Sequence, residues 1–276
     1  MSALLTIDRV CKTFARGGLF SQRRVDAVKD VSFVVADGQP EIFTVIGESG
    51  SGKSTLARMI LGIHTPTRGR LLLDGMDIAS IRGGAARHAF MAKVQPIFQN
   101  PFEAFNPLKR LDHYLFMTAR RFGNAKTAQE EDEQADKALR QVGLSLAEAR
   151  GRFPHELSGG QLQRIAIARA LISKPRLIVA DEPVSMVDAS LRMSIVNQFR
   201  ALRDELGISI IYITHDLATA YYISDRLIIM QKGEVVEAGD ARTVLAAPQH
   251  PYSRQLRDAV LLPDAAAAPL VPGLTP

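Results

Sequence analysis

The 276-residue sequence predicts an α/β protein with a mostly parallel sheet covered by helices. Short buried strands at 177–180, 208–214 and 226–231 alternate with segments whose apolar residues recur at helical spacing. Upstream, the apolar run 42–46 leads into a glycine-rich turn and then into another helical pattern. This alternation favours parallel pairing, because parallel neighbours need a crossover connection and helices commonly supply it.

Two segments stand outside this alternation. The chain opens with apolar stretches at 4–14 and 25–35 around the glycines at 17 and 18, which predicts a pair of antiparallel strands. The stretch 100–152 carries a helical pattern that stops at Gly143, which predicts a helical insert in the α/β order. After 246 the chain is rich in alanine and proline, and we expect it to be loosely packed.

Composition narrows the class of protein. Cys11 is the single cysteine, so it has no internal disulfide partner, and a reducing compartment is expected. Residues 1–10 lack the pattern of a signal peptide, and no run approaches the roughly 18 apolar residues of a spanning helix. The net charge of +5 is spread without a dense Lys/Arg block, so we expect no nucleic acid partner. Any membrane contact would therefore pass through a partner protein.

The most specific local pattern is the turn GESGSGKST, called here the phosphate loop. It matches G-x-x-x-x-G-K-[ST], in which glycines let backbone N–H groups close around phosphates. Lys53 is expected to reach phosphate oxygens, the Ser54 hydroxyl to join the ligands of Mg2+, and the following helix to present its positive end. The predicted nucleotide-binding residues are Gly47, Glu48, Ser49, Gly50, Ser51, Gly52, Lys53, Ser54 and Thr55.

Two adjacent carboxylates end a buried strand in LIVADEP, residues 177–183. Neighbouring side chains at a strand end point in opposite directions. We therefore expect Asp181 to hold Mg2+ through water. Glu182 would then face the attacking water, either as its general base or as the group that polarises it.

The segment LSGGQLQR, residues 157–164, directly precedes a helix and offers a second set of amide donors for phosphate. One nucleotide cannot easily use this segment and the phosphate loop of the same chain. We therefore expect two chains to associate head to tail, each completing the other's site. The residues assigned to the partner's nucleotide are Ser158, Gly159, Gly160 and Gln161.

With LSGGQ lying between the phosphate loop and LIVADEP, the sequence resembles the nucleotide-binding domain of ABC transporters from Leu5 to about Leu256. The resemblance implies ATP and Mg2+ as cofactors. It implies a P-loop NTPase fold with a RecA-like parallel core, an N-terminal antiparallel β subdomain and an α-helical insert. The implied boundaries are a single nucleotide-binding domain at 1–245 (core and β subdomain 1–99 and 165–245, insert 100–164) and a C-terminal extension at 246–276.

The same resemblance assigns roles to single residues. Gln99 in IFQNP matches the glutamine that senses Mg2+ and the attacking water, and His215 in ITHD matches the histidine at the γ-phosphate. Asp188 in SMVDAS matches the D-loop aspartate. Phe14 matches the aromatic that stacks on adenine, with Phe20 as a competitor and a core role as the alternative. The implied catalytic residues are Glu182, His215 and Gln99, and the implied metal ligands are Ser54, Gln99 and Asp181.

Within the superfamily, IFQNPFEAFNP, FPHELSGGQ and HPYSRQL resemble the oligopeptide/dipeptide permease ATPases. That resemblance implies a subunit that energises solute import, with a peptide-like solute, at the cytoplasmic face of the inner membrane. Its implied partners are a second ATPase, expected to be a different protein, two transmembrane permeases and, indirectly, a substrate-binding protein. Phe102, Phe105 and Leu108 are expected either near the permease-facing surface or in the small core of the insert.

Three alternatives fit the sequence less well. A soluble ABC ATPase acting on nucleic acid or ribosomes would carry a long coiled coil or a second cassette, and the spacing from Gly47 to Ser158 leaves no room for the coiled coil. An inactive partner subunit would not retain Lys53, Glu182 and His215 together. An exporter often has this domain fused to spanning helices.

Overall fold

The computed structural model describes residues 2–16 and 23–259. Its strands are β1 Ala3–Arg16, β2 Arg23–Ala36, β3 Ile42–Ile46, β4 Arg68–Leu73, β5 Met76–Asp77, β6 Val94–Ile97, β7 Leu177–Asp181, β8 Ser209–Thr214, β9 Arg226–Gln231 and β10 Glu234–Asp240. Its helices are α1 Lys53–Ile60, α2 Gly84–Lys93, α3 Leu111–Phe122, α4 Ala128–Arg140, α5 Leu146–Ala149, α6 Gly159–Ile172, α7 Ala189–Leu206, α8 Leu217–Ile223, α9 Ala241–Ala246 and α10 Pro251–Asp258.

A six-stranded sheet forms the centre of the fold, in the order β10-β9-β3-β8-β7-β6. Its strands are parallel except for β10, which pairs antiparallel with β9 after a turn at Lys232 and Gly233. Every residue of β3 is buried, as expected of a central strand that helices cover on both faces. The carboxyl ends of β3, β7 and β8 meet at one edge of this sheet, which is where parallel α/β folds place their ligands.

A second, four-stranded antiparallel sheet has the order β2-β1-β4-β5 and is built around the N-terminal strand pair. Phe33 of this sheet stacks on Phe43 of β3, with ring centroids 4.3 Å apart. Both rings belong to one buried cluster that also includes Leu56 and Ile60 of α1. The antiparallel sheet is thus packed against the element that follows the phosphate loop.

The helical insert shares a core with the central sheet. One buried cluster joins Leu115 of α3 and Leu139 of α4 to Ile165 of α6 and Ile210 of β8. Because α6 belongs to this cluster along most of its length, its N-terminal residues are held in a fixed direction relative to the sheet.

These observations confirm the predicted α/β fold class, with its parallel core, antiparallel sheet and helical insert. The prediction that the chain after 246 is loosely packed is wrong for 251–258. This segment forms α10, in which Tyr252 and Ser253 are buried. Sequence patterns had also left β4, β6 and α2 unassigned. Among the described residues, none of the helices has both the length and the apolar composition needed to cross a bilayer.

The aromatic contact between α7 and β8 offers a test of the central core. Phe199 is fully buried and meets Tyr212 edge to face, with centroids 5.6 Å apart. Phe199→Ala is expected to lower the free energy of unfolding by about 3–5 kcal/mol, because it leaves a cavity between helix and sheet. Phe102→Ala is the matched control, since Phe102 is 45% exposed, and its loss is expected to be small. Denaturant unfolding of both variants measures the difference, and equal losses would contradict this packing.

Candidate nucleotide-binding site

The phosphate loop connects β3 to α1 and depends on two glycines. Gly52 has φ +107°, and a Cβ atom there would lie 2.2 Å from the carbonyl oxygen of Ala27. A Cβ atom on Gly47 would lie 2.3 Å from the carbonyl oxygen of Met230. Neighbouring backbone therefore leaves no space for a side chain at either position, and the loop is packed against β2 and β9 through bare backbone.

Lys53 begins α1 and turns its side chain back into the loop. Its Nζ donates hydrogen bonds to the carbonyl oxygens of Gly47 and Glu48, both at 2.7 Å, and the residue is only 4% exposed. Burial lowers the pKa of Lys53, and the nearby carboxylates of Glu182 and Asp181 partly offset this effect. A phosphate bound in the loop would add negative charge beside this ammonium group and favour its charged form.

Ser54 and Asp181 lie together at the carboxyl end of β7. The Ser54 hydroxyl donates to Asp181 Oδ1 at 3.3 Å. Burial raises the pKa of Asp181, and the hydrogen bond from Ser54 opposes that shift. A hydroxyl beside a carboxylate forms a set of hard oxygen donors, which is the chemistry that Mg2+ selects. The residues present here therefore fit a magnesium ion.

Glu182 contacts the other two predicted catalytic residues. Its carboxylate accepts a hydrogen bond from Gln99 Nε2 at 3.1 Å and lies 3.2 Å from His215 Nδ1. The backbone of Glu182 has φ +47°, in the left-handed region, and its N–H donates to the carbonyl oxygen of Ile213 at 2.9 Å. This unusual conformation turns the chain immediately after β7, so that Asp181 contacts Ser54 while Glu182 contacts Gln99 and His215.

An open cleft of about 1040 Å³ connects these groups. The predicted residues along it are Gly47, Glu48, Ser49, Gly50, Gly52, Lys53, Ser54, Thr55, Gln99, Glu182 and His215. Sequence reasoning missed Val25, Asp26, Ala27, Lys29, Lys232 and Leu256, which also line it. The first four lie on β2, which carries no motif, and Lys232 precedes an ordinary hairpin glycine, so no sequence signal points to them. Leu256 belongs to the HPYSRQL segment, whose sequence resembles that of peptide permease ATPases but does not indicate a role in the site.

The LSGGQ segment lies at the start of α6. The Ser158 side chain caps this helix by accepting a hydrogen bond from the Gln161 backbone N–H at 3.2 Å, and the Gln161 side-chain oxygen accepts one from the Ser158 backbone N–H at 3.1 Å. Gly159 and Gly160 form the first turn, where a Cβ on Gly160 would lie 3.0 Å from Leu191 Cδ1. None of these four residues lines the cleft, nor does Asp188, the exposed residue that precedes α7. The structure therefore does not bring them together with the phosphate loop of their own chain.

Phe14 also lies off the cleft. Its ring meets His64 edge to face at 5.4 Å, with the Lys12 ammonium 5.1 Å from its centroid. Across the strand pair it faces Val25, which does line the cleft. Phe20, the competing position, lies outside the described residues.

Phe102, Phe105 and Leu108 are each expected either at the permease-facing surface or in the core of the insert. Phe105 is buried in the core and contacts Tyr114. Phe102 and Leu108 are exposed, at 45% and 84%.

Comparisons with known proteins agree with this geometry. The family model described as "ABC transporter" matches residues 28–185. An oligopeptide transport ATP-binding protein, OppF, of Streptococcus pyogenes serotype M1 is 37% identical over 243 residues, which cover 88% of this chain and 78% of that protein. A probable peptide ABC transporter ATP-binding protein of Sinorhizobium fredii is 41% identical over 97% of this chain and 75% of its own length.

Solved structures give the same result for the fold. The ATP-binding cassette MJ0796, in a dimeric post-hydrolysis state bound to ADP and Pi, superposes with a TM-score of 0.75 at 28% identity. The match covers 86% of this chain and 99% of that one. Together with the geometry of the phosphate loop, these similarities show that the chain belongs to the ABC transporter family, as an ATP-binding cassette that hydrolyses ATP.

Proposed function

We propose that this cassette energises the import of peptides through a membrane ABC transporter. Lys53, Ser54, Glu182 and His215 meet at one cleft, and Asp181 is hydrogen-bonded to Ser54, while Ser158 lies at a separate helix start; this geometry carries the proposal. This arrangement suits an ATPase whose site a second cassette completes. The choice of peptides rests on the relatives, which are named as peptide transport ATP-binding proteins.

The phosphate loop would bind the polyphosphate of ATP. The donors are the Lys53 ammonium and the loop's backbone N–H groups other than those of Glu48 and Ser51, which are bonded within the protein, and α1 directs its positive end to the same place. Ser54, Asp181 and Gln99 would hold Mg2+, which neutralises phosphate charge when bound. Phe14 is proposed to contact adenine from the end of the β1–β2 strand pair, where it faces Val25.

Glu182 is proposed to act on the attacking water. Its carboxylate would accept a proton from that water as the oxygen attacks the terminal phosphorus, and the bond from that phosphorus to the bridging oxygen would break, so that ADP leaves with the bridging oxygen. Gln99 and His215 hold the carboxylate from two sides, so its oxygen atoms have a defined direction before substrate arrives. The histidine is 60% exposed and can thus reach the γ-phosphate as well as Glu182.

The second half of each site would come from a partner cassette. Ser158, Gly159, Gly160 and Gln161 form a capped helix start, in which the N–H groups of Gly159 and Gly160 precede the intrahelical hydrogen bonds and are suitable donors for the γ-phosphate of a facing chain. Asp188 would lie at the same interface. We propose that the partner is a different ATPase subunit, so that the pair is a heterodimer.

The remaining partners are proposed to be two permease subunits at the cytoplasmic face of the inner membrane and, through them, a substrate-binding protein. We propose 1–245 as the nucleotide-binding domain, with 100–164 as the insert that meets the permeases, and 246–276 as an extension. Exposed Phe102 and Leu108 near the Gln99 loop suit such a contact, because exposed apolar side chains are common where proteins bind one another.

Affinity purification of the tagged chain from detergent-solubilised membranes of its source tests the proposed function. We expect mass spectrometry to identify two polytopic permeases and a second cassette. Phe102→Asp combined with Leu108→Asp should reduce their recovery, whereas Met76→Asp, an exposed change on the antiparallel sheet, should not. Recovery with ribosomes or nucleic acid in place of permeases would contradict the transport role and leave the ATPase chemistry intact.

A further inference from the structure

The C-terminal segment HPYSRQL, residues 250–256, reaches the phosphate loop. Tyr252, in the first turn of α10, is 4% exposed, and its hydroxyl oxygen accepts a hydrogen bond from the Glu48 backbone N–H at 2.9 Å. One helical turn later, Leu256 lines the cleft itself. A segment more than 200 residues from the loop in sequence therefore forms part of the wall around it.

The position of α10 is fixed by β10. Glu237 of β10 accepts hydrogen bonds from the backbone N–H groups of Gln249, at 2.8 Å, and His250, at 3.2 Å. Burial opposes ionisation of Glu237, yet the hydrogen bonds it accepts hold its pKa below the usual range. His250 then caps the helix, its Nδ1 accepting from the Tyr252 backbone N–H at 3.2 Å. Glu237 and His250 thus fix the start of α10, and with it the position of Tyr252 beside the loop.

Both polar backbone groups of Glu48, its carbonyl and its N–H, are hydrogen-bonded. Its carbonyl oxygen accepts from Lys53 Nζ at 2.7 Å and from the Ser51 backbone N–H at 3.1 Å, while its N–H donates to Tyr252. The Tyr252 side chain also packs in a cluster with Ile46, the last residue of β3 before the loop. Tyr252 therefore contacts both the strand that leads into the loop and the loop's second residue.

We propose that Tyr252 is a positioning residue for ATP, which holds the first turn of the phosphate loop in its binding conformation. The inference rests on the proposed nucleotide site and extends that site to α10. Phosphate binding by backbone N–H groups requires these groups to converge before the ligand arrives, since any ordering on binding reduces affinity. Removing the tyrosine hydroxyl removes the acceptor of the Glu48 N–H. The loop then loses the hydrogen bond that holds its second residue in place.

Tyr252→Phe tests this role, because it removes the hydroxyl and keeps the buried ring. In the assembled pair of cassettes we expect the KM for ATP to rise about three- to tenfold, the size of effect typical of one lost hydrogen bond, with kcat unchanged. The dissociation constant for ATP, measured by calorimetry, should rise by the same factor. Tyr221→Phe is the matched control, since Tyr221 is 44% exposed, and it should leave both constants unchanged.

Two outcomes separate this inference from the nucleotide site on which it rests. Lys53→Ala, measured in parallel, should abolish ATP affinity, and affinity retained in that variant would contradict the site itself. Affinity lost in Lys53→Ala but KM and dissociation constant unchanged in Tyr252→Phe would overturn only the positioning role. In that case a lower Tm for Tyr252→Phe would show that the hydroxyl serves the stability of the fold alone.

Discussion

Glu182→Gln is expected to reduce ATP hydrolysis by about two orders of magnitude or more, because the amide cannot accept a proton from the attacking water. The substitution keeps the size of the side chain and one acceptor oxygen, which can retain the hydrogen bond from Gln99, so the surrounding loops should not move. ATP binding should persist, since Lys53 and the loop amides are untouched. Steady-state phosphate release by the assembled pair of cassettes and calorimetric ATP binding by the full-length chain measure the two effects separately.

Glu205→Gln is the control for charge removal alone, because Glu205 is exposed near the end of α7. It should leave hydrolysis unchanged. Wild-type turnover in Glu182→Gln would remove Glu182 from its proposed catalytic role. Loss of ATP binding in the same variant would instead place Glu182 in nucleotide binding.

Ser158→Arg should abolish ATP hydrolysis while leaving the ATP affinity of the monomer intact. The serine caps α6 outside the cleft of its own chain, and a bulky cation there would block the approach of a partner's nucleotide. The lost cap also costs about 1 kcal/mol of stability, and that effect must be separated from the effect on the interface.

Ser145→Arg is the control that separates loss of a helix cap from the effect on the interface. Ser145 precedes α5 in a similar capping box with Glu148 and does not line the cleft. We expect this variant to lose stability but to keep its hydrolysis rate. Titration of each variant with ATP at low protein concentration gives the monomer affinity. A matching loss of monomer affinity in Ser158→Arg would contradict the two-chain arrangement.

The phosphate loop could be predicted from the sequence because every requirement on it is local. Glycines, Lys53 and Ser54 stand at fixed spacing between a buried strand and a helix, and the structure places them there. The opposite directions of Asp181 and Glu182 followed from strand geometry, and in the structure one contacts Ser54 and the other Gln99. The left-handed φ of Glu182 turns the chain and separates the two side chains further. Glycine or asparagine would have signalled such a turn in the sequence, but glutamate does not.

The C-terminal segment could not be predicted in the same way. Its alanine and proline content is typical of loosely packed chain, and what holds it are tertiary contacts with Glu237 and Glu48 that composition does not record. Strand β6 was missed for a related reason. It is four residues long, contains Pro96, and is identifiable only as an edge strand beside β7, a position that tolerates proline.

The role in peptide import is tested most directly by ATP hydrolysis in the complete membrane complex, measured with and without its binding protein loaded with peptide. We expect peptide-loaded binding protein to stimulate hydrolysis, and Glu182→Gln in this chain to reduce the stimulated rate. A rate that is indifferent to peptide and to the binding protein would contradict the proposal that this cassette energises peptide import.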